Sequence, residues 1–148
     1  MRRIALHFPV RWRALLGALL AWSWLTGVSF FALHRWFQVE GEFGPEKHPL
    51  EPWLIKAHGA GAFLSLMAFG YLLASHIPTG WRSKRSRKGG VALVTALSLM
   101  VLTGYGLYYL GDEEWRGVAA WVHLALGFSF PFLLALHIVS GRRRTTSA

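Results

Sequence analysis

The chain has 148 residues, of which 53% are apolar and 15% aromatic, with eight tryptophans and no cysteine. The lack of cysteine excludes disulfides, thiolate metal sites, thioether-linked cofactors and a cysteine nucleophile. The net charge of +9 comes from basic residues clustered between apolar runs, so it reads as membrane topology and not as a nucleic-acid surface.

In chain order, residues 1–13 are short and basic, with Arg2, Arg3, Arg11 and Arg13. The apolar run from Ala14 to Leu33 is the length of a full span and has no A-x-A cleavage site after it. It is expected to be a retained first helix, over about 12–34. Residues 34–52 carry Glu40, Glu42, Glu46 and Glu51, and Pro45, Pro49 and Pro52 argue against a long helix. A second span is expected over 53–77, ended by Pro78-Thr79-Gly80. The basic loop WRSKRSRKGG leads to a third span over about 90–110. The acidic turn GDEEWR leads to a fourth over 117–140, and Arg142-Arg143-Arg144 follow it.

Twelve of the 16 Lys and Arg residues lie in the N-terminal segment, the second-to-third connection and the tail. All seven acids lie in the other two connections. The positive-inside rule then places both termini on the cytoplasmic side of the membrane. The expected fold is an all-α membrane protein, one domain forming a four-helix up-and-down bundle. Two repeated hairpins are suggested by the match of Leu25-Thr26-Gly27 with Leu102-Thr103-Gly104 and of LLASHI (72–77) with LLALHI (133–138).

Histidines inside such spans are costly and point to function. His58 and His76 are 18 residues apart, five full turns of one helix, so both rings are expected on one face. His123 and His137 are 14 apart, about 40° short of four turns. Four histidines at two depths on two helices suit two bis-histidine haem sites, His58 with His123 and His76 with His137. Gly59, Ala60, Gly61, Ala62 and Gly127 leave room for a macrocycle, and Phe69 and Phe130 are placed to pack between two of them. Eighteen residues rise about 27 Å and fourteen about 21 Å. Tilt or a kink near Pro131 must absorb that difference, or only one pair binds. Alternatives for these histidines are helix-packing contacts or a proton or metal path.

His7, His34 and His48 read as interfacial residues, with His34 placed to replace a ligand or line a quinone pocket. Trp12, Trp36, Trp53, Trp81 and Trp115 read as interfacial anchors, and Trp22, Trp24 and Trp121 as residues inside the spans. Tyr105, Tyr108 and Tyr109 read as belt residues before quinol contacts. Lys56, Arg116, Arg82 and Arg142 read as rim charges before propionate partners.

A TG in the third span, an HG opening the second, and a second histidine on each of the second and fourth resemble the small bacterial membrane cytochromes b. These stand within the wider cytochrome-b and ferric-reductase-like di-haem superfamily. The resemblance covers residues 12–141. The 14-residue gap is similar to the ligand spacing of respiratory cytochrome b, and the 18-residue gap departs from it. By this resemblance His58, His76, His123 and His137 are axial ligands to one or two haems b. The implied function is electron transfer between quinol and a redox partner protein on the outer side, as a subunit of an oxidoreductase and not a complete enzyme. The competing reading is a haem-free membrane anchor or assembly subunit.

Overall fold

In hydrocarbon a backbone must bond to itself, so long apolar runs fold as helices. The computed structural model describes residues 10–82 and 87–146, with side chains through Gly141. Arg2, Arg3, His7, Lys84 and Arg85 lie outside the described residues, as do the side chains of Arg142, Arg143 and Arg144. The helices are α1 (Val10–Trp36), α2 (Glu51–Ala74), α3 (His76–Arg82), α4 (Arg87–Tyr109) and α5 (Glu113–Thr146). Four stretches are long and apolar enough to cross a bilayer: Val10–Trp36, Glu51–Arg82, Arg87–Tyr109 and Glu113–Gly141. The 27 residues of α1 rise about 40 Å, more than the roughly 30 Å of a hydrocarbon core. The protein is thus all-α and multi-pass, as its sequence implies. Most large apolar side chains on the helices are exposed, the condition of a lipid-facing surface.

Residues 1–70 and 71–148 form two compact units, with the boundary inside α2. In the first, α1 and α2 run antiparallel, with contacts from His34 to Glu51 and from Ser23 to Ser65. In the second, α4 and α5 run antiparallel. A methyl group added to Gly106 would lie 3.9 Å from Cβ of Ala119, and one added to Gly89 would lie 3.3 Å from His137.

The second span does not end at Pro78. α2 stops at Ala74 and the chain resumes as α3 at His76. A proline clashes with the carbonyl four residues before it and cannot donate to it. For Pro78 that residue is Ala74, the last of α2. Within α3, Pro78 occupies the first turn, where no intrahelical donor is needed. Hydroxyls bind the carbonyls at this break: Ser75 Oγ donates to Tyr71 O at 2.6 Å and Thr79 Oγ1 to Ser75 O at 3.0 Å. The five-turn argument that aligned His58 with His76 assumed one continuous helix, and the break at Ser75 removes that assumption.

Two further differences lie in the connections. Residues 34–52 hold a small antiparallel hairpin, Val39–Gly41 against Gly44–Glu46. Its two-residue turn brings Gly44 to φ 119°, a conformation glycine adopts without a Cβ clash. The acidic turn is shorter than expected, because Glu113 and Glu114 already belong to α5. Asp112 caps that helix, its Oδ1 accepting from the Trp115 amide at 2.9 Å.

Candidate functional site

His58 projects from α2 against α1. Its Nδ1 lies 2.9 Å from the Ser23 carbonyl oxygen and 3.4 Å from Thr26 Oγ1. Thr26 is itself buried, and its hydroxyl donates back along α1 to Trp22 O at 2.8 Å and Ser23 O at 3.1 Å. A hydroxyl has one hydrogen, and this one is committed to carbonyls. A carbonyl only accepts. Both neighbours of Nδ1 are therefore acceptors, so Nδ1 carries the hydrogen and the ring's basic lone pair is on Nε2. Gly27 makes the close approach possible: a Cβ there would lie 2.9 Å from His58 Cε1. Trp22 Nε1 donates to Ala57 O at 3.2 Å, one turn away from this contact.

The second unit repeats the arrangement. His123, on α5, places Nδ1 3.0 Å from Thr103 Oγ1 on α4. Thr103 donates to Leu99 O at 2.7 Å and Met100 O at 3.2 Å. The same argument assigns the lone pair to Nε2. A Cβ on Gly104 would lie 3.4 Å from His123 Cε1. The Leu-Thr-Gly repeat therefore has a physical content that the sequence reading did not give it. In each hairpin the threonine orients the histidine of the next helix and the glycine makes room for the ring.

The structure brings together the other two histidines. His76 opens α3, and its ring centre lies 6.5 Å from that of His137, with the planes at 75°. His137 packs on Gly89 and Gly90 at the start of α4, residues expected to belong to a loop. A Cβ on Gly90 would lie 3.7 Å from His137 Cε1. Nδ1 of His137 is buried and has no hydrogen-bond partner among the described residues.

His34 takes a different role from the other histidines. Its Nδ1 lies 3.0 Å from Glu51 Oε2. Glu51 is the first residue of α2, and only 4% of it is exposed. The sequence reading left this carboxylate in a polar loop. His48 serves the turn before α2, where its Nδ1 accepts from the Leu50 amide at 3.2 Å. At the rims, Lys56 Nζ sits 4.9 Å from the Trp53 ring and Arg87 4.8 Å from Trp81. Arg116 reaches Glu113 at 3.9 Å. Trp121 and the three tyrosines Tyr105, Tyr108 and Tyr109 are exposed, whereas Phe69 and Phe130 are buried.

Among the described residues no three His, Asp or Glu side chains converge as a metal-ion cage. No protein-family model matches the chain, and no curated protein or solved structure is significantly similar to it.

Proposed function

We propose that this protein is an integral membrane electron-transfer protein or subunit that holds haem b through His58, His76, His123 and His137. It passes electrons between quinol and a redox partner protein. The observation that carries the reading is the paired orientation of His58 and His123. A ligating histidine typically donates its second ring N–H to a carbonyl or other acceptor, which fixes the tautomer and raises ligand basicity. Ser23 O and Thr26 supply that acceptor to His58, and Thr103 supplies it to His123. Both leave Nε2 as the donor atom.

His76 and His137 would be the other residues to hold the group, their ring centres lying 6.5 Å apart. Gly89 and Gly90 let His137 pack closely against α4. Haem held between two histidines supplies one-electron transfer from a closed, low-spin site. The polypeptide's part would be to place the four imidazoles and to keep the site within apolar helices.

The test is a reduced-minus-oxidised visible spectrum of the detergent-purified protein, with haem quantified per chain. One or two haems b are expected, with loss of haem in His137→Ala and in His123→Ala while both variants still insert. A protein from haem-replete cells that carries no haem would leave the membrane-anchor reading in its place.

A further inference from the structure

An open cleft of about 320 Å³ lies where α1 ends and α2 begins, lined by Phe30, His34, Lys47, Glu51, Pro52 and Ile55. That volume is at the small end of ligand sites. Two kinds of surface meet in it. Phe30, Pro52 and Ile55 are apolar, and the Phe30 ring stacks on His34 with centres 5.6 Å apart and planes at 18°. His34, Lys47 and Glu51 are polar.

Glu51 is the unusual member. One carboxylate oxygen, Oε2, is engaged by His34 at 3.0 Å. The other, Oε1, is buried and has no hydrogen-bond partner among the described residues. Leaving a buried acceptor unsatisfied is costly. A carboxylate accepts and does not donate, so the missing partner must bring its own hydrogen. The apolar walls require that hydrogen to sit on a lipophilic body. A hydroxyl on a ring meets both conditions, and Lys47 offers a donor to a second ring oxygen.

We propose that this cleft binds the hydroxylated ring of a quinol, with Glu51 Oε1 accepting from the ring hydroxyl and His34 holding the carboxylate in place. The choice of quinol among hydroxylated lipophiles rests on the electron-transfer reading above. The test uses the full chain in detergent micelles, a short-chain quinol, and the dimethyl ether of that quinol, which keeps the ring and has no hydroxyl hydrogen. The quinol is expected to bind about tenfold or more tightly than the ether. Glu51→Leu, which has no acceptor, is expected to lose that preference. Ile55→Trp, which fills the cleft and leaves His34 and Glu51 in place, is expected to lose both ligands. Haem measured in the same samples separates the two readings. A haem-loaded protein whose quinol affinity is the same in wild type, Glu51→Leu and Ile55→Trp overturns the cleft. A haem-free protein that still prefers quinol through Glu51 keeps the cleft and overturns the haem.

Discussion

Thr103 Oγ1 lies 3.0 Å from His123 Nδ1 while its own hydrogen is directed to carbonyls of α4. The threonine is thus an acceptor wedged between a helix backbone and an imidazole. Thr103→Val keeps the shape and removes the acceptor. The loss of such a supporting contact costs about 10–100-fold in metal affinity. Haem retention during dilution or dialysis is expected to fall accordingly in Thr103→Val and to recover in Thr103→Ser. Equal retention in all three proteins would show that Thr103 does not orient a ligand.

The two glycines facing the rings are expected to differ in tolerance. A Cβ at Gly27 would meet His58 Cε1 at 2.9 Å, and one at Gly104 would meet His123 Cε1 at 3.4 Å. Gly27→Ala is therefore expected to destabilise the protein by about 1–3 kcal/mol through overpacking and Gly104→Ala by less, read as a larger fall of the thermal midpoint in detergent. The reverse order would count against this geometry.

The Asp112 cap gives a prediction independent of any ligand. Asp112→Ala removes the acceptor for the Trp115 amide and is expected to cost about 1 kcal/mol. Asp112→Asn is expected to keep most of it. Thermal unfolding followed by circular dichroism reads the difference.

Orientation can be read by labelling, because the chain has no cysteine of its own. Single cysteines at Glu42 and Ser83 fall in connections of opposite charge character. An impermeant maleimide is expected to label Glu42→Cys in intact spheroplasts and Ser83→Cys only after permeabilisation. The opposite pattern would invert the topology.

The spans were legible in the sequence because apolar length alone dictates them. Their ends were not, because charged residues such as Arg87, Glu113 and Glu114 form the first turns of helices. The Ser75 break was half legible: Pro78 was recognised as a breaker, but its effect falls four residues earlier. The histidines stood out as polar residues in apolar runs. Their partners did not, because Thr26 is 32 residues from His58 and Thr103 is 20 from His123. A threonine bonded back to its own helix also leaves no mark in composition. The repeated Leu-Thr-Gly was the available signal, and its meaning required knowing which helix it faces. Glu51 was missed because the boundary of α2 was placed two residues late, which put a buried carboxylate outside the helix.

The contacts that set the His58 ring come from residues 22–58, and those that set His123 from residues 99–123. Each ring is thus oriented by its own hairpin. During synthesis the Ser23 carbonyl and Thr26 hydroxyl that face His58 Nδ1 are in place before α4 has left the ribosome, and the Thr103 hydroxyl that faces His123 Nδ1 comes from the helix made just before it. Ring orientation is installed twice, locally and in sequence. A chain stalled halfway through insertion would already hold one oriented imidazole.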